Sequence, residues 1–122
     1  MTRKAITLVA VAQNQQERPD SHTNAAAIAG FVVAHPMRGG TGRILTLDIV
    51  PEARRYGLAT RLMQACEQRL RDAGCTQVYL ETAVNNEAAL DLYHKLGYQI
   101  VRTLPEYYSS LSLDAFQMAK RL

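Results

Sequence analysis

The chain has 122 residues, of which 48% are hydrophobic and 20% are charged, and its formal net charge is +3. This length and composition predict one globular domain, residues 1–122, built around one hydrophobic core. The basic residues are scattered rather than gathered on one face or in a tail, so nucleic-acid binding is not expected. No segment is long enough to span a membrane, and the short apolar run after Lys4 leads into a polar loop without a clear cleavage site. We therefore expect a cytoplasmic protein with no membrane partner.

The first half of the chain reads as three strands. Residues 6–11 and 28–35 are apolar runs separated by a long polar stretch, which predicts a hairpin with a long connection. Residues 36–42 have the composition of a turn. Residues 44–50 form a third strand, which Pro51 ends.

From Gly57 onward the apolar residues recur at a helical period. Leu58, Leu62, Cys66 and Leu70 repeat every fourth residue, which predicts one buried helix face and makes Cys66 a packed thiol. The two cysteines, Cys66 and Cys75, show no spacing typical of a disulfide framework or a metal site. Gly74 is expected to cap this helix.

The second half of the chain alternates strand and helix. Residues 77–84 predict a strand buried on both faces, and Asn86 is a natural N-cap for a helix that ends at Gly97. We expect the buried stripe of that helix at Ala88, Ala89, Leu92, Tyr93 and Leu96. Further strands are predicted at residues 99–103 and 115–119. The expected fold is therefore a mixed α/β sheet with antiparallel strands first and a parallel strand–helix–strand unit after them.

The turn from Arg54 to Thr60 is the first candidate site. Gly57 lacks a Cβ and lets a ligand approach the backbone closely, and the N–H groups of residues 57–60 lie where the helix begins. With Arg54, Arg55 and Arg61 around it, this turn suits a phosphate group. A plain strand-to-helix turn that contains glycine is the alternative. Because the turn matches neither a Walker loop nor Gly-x-Gly-x-x-Gly, the remaining candidate is a pyrophosphate site held mainly by backbone.

Two side chains are candidates for proton transfer. Glu81 lies in the middle of an apolar strand, and carboxylates are rarely buried without a partner. Either it faces a cleft, where it can act as a general base, or the strand prediction is wrong. Tyr93 belongs to an apolar helix stripe and is a core residue by that pattern, but its hydroxyl needs a partner.

These motifs together resemble the GNAT family of N-acetyltransferases. Arg54-x-x-Gly57-x-Ala59 is similar to that family's acyl-CoA-binding loop. Its second hallmark has an Asn that opens a helix, then a Leu-Tyr pair, then Gly-Tyr at the next strand, matched here by Asn86, Leu92-Tyr93 and Gly97-Tyr98. The resemblance covers residues 28–122, and the order and spacing of the four features make it specific.

The resemblance implies acetyl-CoA as co-substrate, no metal, and a role for each matching residue. The implied cofactor-binding residues are Ile49, Val50, Arg54, Arg55, Gly57, Leu58, Ala59, Thr60, Asn86 and Tyr93. Tyr93 would also protonate the departing thiolate, and Glu81 matches the general base of the ribosomal-protein N-terminal acetyltransferase branch. Tyr107 and Tyr108 resemble the paired tyrosines that line the peptide slot of N-terminal protein acetyltransferases.

The implied reaction is direct transfer of an acetyl group to a primary amine, with a protein or peptide N-terminus as the leading acceptor. A small-molecule amine acetyltransferase and a shortened, non-catalytic acyl-CoA-binding module are the alternatives. We expect the chain to depart from the family at its front, with a shortened or missing strand and helices, of which the helices form one wall of the acceptor site in that family. We therefore expect exposed apolar side chains on one sheet face and a homodimer that covers them.

Overall fold

The computed structural model describes residues 4–12, 27–54 and 57–122. Its elements are β1 (Ile6–Ala12), β2 (Ala27–Met37), β3 (Thr41–Ile49), α1 (Leu58–Asp72), β4 (Gln77–Ala83), α2 (Glu87–Lys95), β5 (Gln99–Tyr108) and β6 (Leu113–Arg121). Short 3-10 turns occupy Pro51–Ala53 and Ser109–Leu111. The predicted order of strands and helices is confirmed. Within the described ranges, no helix combines the length and the apolar character that crossing a membrane requires.

The six strands form one sheet in the order β1-β2-β3-β4-β6-β5. All neighbouring strands run antiparallel except β3 and β4, which are parallel because α1 crosses over between them. The parallel ladder pairs Thr41 with Gln77, Gly42 with Val78 and Arg43 with Tyr79, and goes no further. Beyond Arg43 and Tyr79 the two strands separate and open a cleft in the sheet.

A β-bulge in β3 lies at the start of this separation. Val33 of β2 pairs with Thr46, whereas Ala34 pairs with Ile44, so Leu45 is an extra residue in β3. The Leu45 side chain is 49% exposed. Because a bulge bends and twists its strand, β3 turns away from β4 at this point.

Helix α1 packs on one face of the sheet against β1, β2 and β3. Its predicted stripe is confirmed, since Leu62, Cys66 and Leu70 are buried. Gly42 lies directly beneath Leu70, and a Cβ at position 42 would come within 2.8 Å of the Leu70 Cδ2 atom. This close approach requires glycine at position 42, so that glycine serves helix packing. Residues 41–42 belong to β3 because they pair with β2 and β4, although their composition predicted a turn.

Two predictions about burial are wrong. Strand β4 is not buried on both faces, because Val78, Leu80 and Thr82 are buried while Tyr79 and Glu81 on the other face are only partly so. In α2 the expected stripe member Ala88 is exposed. Ala88 precedes Tyr93 by five residues, which turns it about 140° away from Tyr93 around the helix. The side of α2 that faces the core instead includes three partly buried residues, Leu90, Tyr93 and Leu96.

Candidate functional site

The separation of β3 and β4 creates a cleft of about 260 Å³. Strands β3 and β4 supply two walls, and the start of α2 and the end of β5 close the others. The lining residues are Ile44, Leu45, Thr46, Leu47, Leu80, Glu81, Thr82, Ala83, Asn86, Ala89, Tyr93 and Tyr108. Four residues predicted from sequence (Glu81, Asn86, Tyr93 and Tyr108) are thus brought to one space.

Glu81 projects from the face of β4 that is turned away from α1, and its side chain is 10% exposed. Its partner is Arg43 of β3, whose Nε donates to Glu81 Oε2 at 3.4 Å. Arg43 Nη2 lies 3.4 Å from the same oxygen, and the Arg43 guanidinium carbon lies 5.9 Å from the centroid of the Tyr79 ring. The ion pair explains how a carboxylate can occupy this half-buried strand.

Arg43 was not identified from the sequence. It stands just before the apolar run of β3, where it reads as one more scattered basic residue. The parallel register places Arg43 opposite Tyr79, which is two residues before Glu81 on β4. The ion pair of Arg43 and Glu81 can therefore be recognised only from the structure.

Tyr107 and Tyr108 lie at the end of β5, next to this ion pair. Glu106 has a positive φ of 50°, and its backbone N–H donates to Asp114 Oδ1 at 2.8 Å. The kink held in this way presents both tyrosine rings, whose centroids are 5.0 Å apart in an edge-to-face arrangement. Arg43 Nη2 donates to the Tyr107 hydroxyl at 3.3 Å, while Tyr108 lines the cleft itself.

Tyr93 projects from α2 into the same cleft. Its ring packs edge-to-face on Tyr98, with centroids 5.8 Å apart. Burial, and to a smaller extent the neighbouring Tyr108, raises the pKa of the Tyr93 hydroxyl above its ordinary value. The hydroxyl therefore keeps its proton at neutral pH, as a general acid must. In the part of the chain that the structure describes, no group hydrogen-bonds to this hydroxyl.

Asn86 caps α2 as the sequence predicted. Its side-chain oxygen accepts a hydrogen bond from the Ala89 N–H at 3.2 Å. The cap fixes the amide at the mouth of the cleft and leaves its nitrogen, which is a donor, without a protein partner among the described residues. A ligand in the cleft can therefore accept from Asn86 without disturbing the cap.

The glycine turn lies at the N-terminus of α1 and does not line the cleft. Gly57 is the N-cap with φ +67°, and its carbonyl accepts from the Arg61 N–H at 3.1 Å. No side chain caps this first turn and no acidic residue lies in it, so the N–H groups of Leu58, Ala59 and Thr60 are presented at the helix end. This is the geometry of an anion site. Arg55 lies outside the described residues.

The end of β3 connects the glycine turn to the cleft. Arg54 Nε donates to the Ile49 carbonyl at 3.1 Å, and the Val50 N–H donates to the Ala29 carbonyl at 2.9 Å. The backbone at Ile49 and Val50 thus already makes hydrogen bonds within the protein. Residues 44–47, which were not singled out from sequence, are the part of β3 that lines the cleft.

Residues 6–98 match the model of the acetyltransferase (GNAT) family. The chain belongs to this family, which confirms the resemblance seen in the sequence. Among curated relatives, N-alpha-acetyltransferase of Sulfurisphaera tokodaii is 35% identical over 82 residues, which are 66% of this chain and 48% of that protein. N-alpha-acetyltransferase 30 of Schizosaccharomyces pombe is 42% identical over 82 residues, 66% of this chain and 54% of that protein. The chain spans about half the length of these curated relatives.

Solved structures show the same fold. Ard1 from Thermoplasma volcanium superposes with a TM-score of 0.75 at 32% identity, covering 82% of this chain and 67% of that one. The NatC complex bound to Gag peptide and CoA superposes with a TM-score of 0.78 at 28% identity, covering 95% of this chain and 70% of that one.

Proposed function

We propose that this protein is an acetyl-CoA-dependent N-acetyltransferase whose acceptor is the N-terminal amine of a protein or peptide. The observation that carries the proposal is the cleft between β3 and β4, where a carboxylate from β4 and a protonated tyrosine from α2 share one space. Family membership supports the cofactor. Two relatives named N-alpha-acetyltransferase, and a NatC neighbour bound to a peptide and CoA, support the acceptor. The single-domain organisation and the cytoplasmic location stay predictions.

The glycine turn fits the pyrophosphate of CoA. Among the described residues outside the turn's own backbone, no heavy atom lies within 4 Å of the position a Cβ would take on Gly57, which leaves room for a ligand there. The N–H groups of residues 57–60 would hold the phosphate oxygens, with Arg54 adding positive charge, and the role of Arg55 stays a prediction. When bound, acetyl-CoA supplies an acyl group activated as a thioester.

The opened edge of β3 fits the amide-containing arm of the cofactor. Beyond Arg43 no described strand pairs with the β4 side of β3, so backbone groups of residues 44–47 are turned toward the cleft. Such an edge can hydrogen-bond an extended ligand as a further strand would. A backbone N–H at the bulge near Leu45 would polarise the acyl oxygen if it points into the cleft that Leu45 lines.

Glu81 and Tyr93 would carry the two proton transfers. Glu81 Oε2 is occupied by Arg43, whereas Oε1 has no hydrogen-bonding partner within the described ranges. Oε1 would accept the proton of the attacking amine, directly or through one water. As the amine nitrogen forms the new C–N bond, the C–S bond would break and Tyr93 would donate its hydroxyl proton to the sulfur. Glu81 would then release the amine proton to solvent and Tyr93 would regain one, which balances the reaction.

The proposal is tested with radiolabelled acetyl-CoA and two kinds of acceptor, a panel of peptides with free N-termini and a polyamine. We expect labelled peptide, with Tyr93→Phe and Glu81→Gln each lowering kcat by about 10²–10⁴-fold because each removes one proton-transfer group. CoA affinity, measured by calorimetry, should be unchanged in Glu81→Gln. Asp91→Asn, on the exposed side of α2, is the matched control and should keep full activity.

Three other outcomes would each contradict a different part of the proposal. Labelled polyamine without labelled peptide would identify a small-molecule acetyltransferase. CoA binding without any labelled product would identify a non-catalytic binding module. Wild-type turnover in both Tyr93→Phe and Glu81→Gln would show that the roles assigned to these residues are wrong.

A further inference from the structure

Arg43, Glu81 and Tyr107 form a connected group at the cleft, called here the acceptor cluster. If Glu81 is the base of the proposed function, on which this inference rests, the acceptor amine must reach this cluster. The guanidinium of Arg43 is only partly used within it. Nε and Nη2 contact Glu81 Oε2, Nη2 also donates to the Tyr107 hydroxyl, and Nη1 has no partner among the residues that the structure describes.

The free side of this guanidinium is accessible. The Arg43 side chain is 32% exposed, while that of Glu81 is 10% exposed, so an incoming acceptor meets the cation at the more open position. Arg43 is held in place by two protein partners and by the Tyr79 ring. An arginine fixed in this way can bind a carboxylate through its remaining N–H groups at small entropic cost.

The charges around the cluster also favour an anionic acceptor. His35 pairs with Arg43 across β2 and β3, and Gln117 pairs with Glu81 across β4 and β6. Arg102 of β5 pairs in turn with Gln117. Arg102 therefore lies two strands from Glu81, at roughly 10 Å, and on the same face of the sheet. The adjacent hairpin carries two acidic side chains, Glu106 and Asp114, and the Asp114 carboxylate accepts the Glu106 N–H. The ladder partners of Arg43 and Glu81 are thus neutral or basic, and a second positive charge on the acceptor would be repelled by Arg43.

We propose that Arg43 is the specificity-determining residue of the acceptor site and selects peptides whose second residue carries a carboxylate side chain. The carboxylate accepts from Arg43 Nη1 while the amine lies against Glu81. Acceptors with a basic side chain at that position are disfavoured by repulsion from Arg43. The ion pair therefore has two functions, positioning the base and recognising the second residue of the peptide.

The test uses three peptides that differ only at the second residue, Met-Asp, Met-Asn and Met-Lys followed by one common sequence. The ratio of kcat/KM for the Asp peptide to that for the Asn peptide measures recognition of the charge, since the two side chains have nearly the same shape. We expect this ratio to be about tenfold or more, the size of one charge-assisted hydrogen bond, with the Lys peptide poorest. Fluorescence anisotropy of labelled peptides titrated with CoA-loaded protein gives the corresponding ratio of dissociation constants, which depends on binding alone.

Arg43→Gln should bring the Asp-to-Asn ratio close to one in both measurements, even though every peptide reacts more slowly once Glu81 loses its partner. Arg38→Gln removes the same charge from the exposed turn before β3 and should keep the wild-type ratio. If Arg43→Gln does not fold, Arg43→Lys replaces it, and its ratio should fall at least threefold because lysine lacks the planar fork.

Two results would overturn the proposal. One is equal use of the Asp and Asn peptides by the wild type, and the other is an unchanged ratio in the Arg43 variant. Failure of the wild type to acetylate any peptide would count against the proposed function instead, and the anisotropy ratio would still decide the role of Arg43.

Discussion

Glu67 lies on α1 inside the core and is 2% exposed. Its carboxylate accepts hydrogen bonds from Lys120 Nζ at 2.7 Å and from the Tyr98 hydroxyl at 2.8 Å. The Lys120 ammonium also lies 5.7 Å from the centroid of the Tyr98 ring. Because a buried carboxylate is costly unless it is paired and hydrogen-bonded, these three side chains join α1 to the start of β5 and to β6.

Tyr98→Phe should destabilise the protein by about 1–3 kcal/mol at pH 7, because it removes one of two donors to a buried carboxylate. Burial, followed by the Glu67 carboxylate, raises the pKa of Tyr98 above its ordinary value of 10.0. Folded Tyr98 therefore keeps a proton that the unfolded chain releases, so its contribution is full below pH 10 and declines as pH rises further. Urea unfolding of both proteins at pH 7, 9 and 11 measures the difference, which should shrink at pH 11.

Tyr107→Phe is the control for this experiment, since Tyr107 is 43% exposed and its hydroxyl hydrogen-bonds Arg43 alone among the described residues. It should change stability at pH 7 by a few tenths of a kcal/mol. A Tyr98→Phe protein as stable as the wild type at pH 7 would contradict the assigned hydrogen bond. A difference that grows above pH 10 would contradict the direction of the pKa shift.

At the scale of elements, the turn into α1 provides a direct test of the anion site. Gly57→Trp should weaken CoA binding more than tenfold, or 1.4 kcal/mol, because the side chain would fill the space that the pyrophosphate needs. Gly39→Trp is a matched control, since Gly39 also has a positive φ (82°) and open space around its Cβ position. In both variants tryptophan must adopt a left-handed backbone conformation, which costs about 1–2 kcal/mol of stability. The two variants should therefore differ in their affinity for CoA and not in stability. Equal affinity in calorimetry would remove the glycine turn from the site.

Local signals in the sequence predicted most of the elements. The helical period of Leu62, Cys66 and Leu70, the Asn86 cap, and the glycines that end both helices in positive φ (Gly74 at 90°, Gly97 at 99°) agree with the structure. Strand ends were predicted less well. Strand β3 begins at Thr41 rather than at residue 44, because pairing with the neighbouring strands outweighs local turn composition. Strand β5 runs to Tyr108 rather than to residue 103, with an irregular ladder after Leu104.

The contacts within the site could not be predicted in the same way. Arg43 meets Glu81 only because the parallel register sets Arg43 opposite Tyr79, and no local pattern specifies that register. The buried group of Glu67, Tyr98 and Lys120 likewise joins residues up to 53 positions apart. The residues of the candidate site were recognised from family motifs, whereas their partners depended on tertiary structure.

For the molecule as a whole, β1 and the start of β2 expose apolar side chains. Val9, Val11 and Ile28 are 47%, 50% and 58% exposed, while α1 packs on the other face of the same strands. Exposed apolar patches of this kind are commonly interfaces, and a two-fold dimer is the commonest arrangement that buries one. The homodimer predicted from the sequence stays a prediction, and its partner chain would border the acceptor side.

Light scattering at micromolar concentration should give the mass of a dimer, and Val9→Glu should shift it toward the monomer by placing a charge in the interface. Val101→Glu is the matched control, because Val101 is 58% exposed on β5 at the opposite edge of the sheet. It should leave the dimer intact. A monomeric mass for the unaltered protein would rule out the dimer.

The short ladder between β3 and β4 has a consequence for evolution and engineering. Strands β1, β2 and β3 form one antiparallel group, and β4, β6 and β5 form another. The two groups are joined by the three residue pairs between β3 and β4, called here the seam. Further pairs past Arg43 and Tyr79 would strengthen this seam, but they would close the cleft and occupy the backbone that a ligand needs. A ligand bound across the seam would supply the missing connection, and the fold would gain stability in proportion to the logarithm of its concentration. Mutations selected only for a more stable sheet should therefore accumulate at the seam at the expense of catalysis.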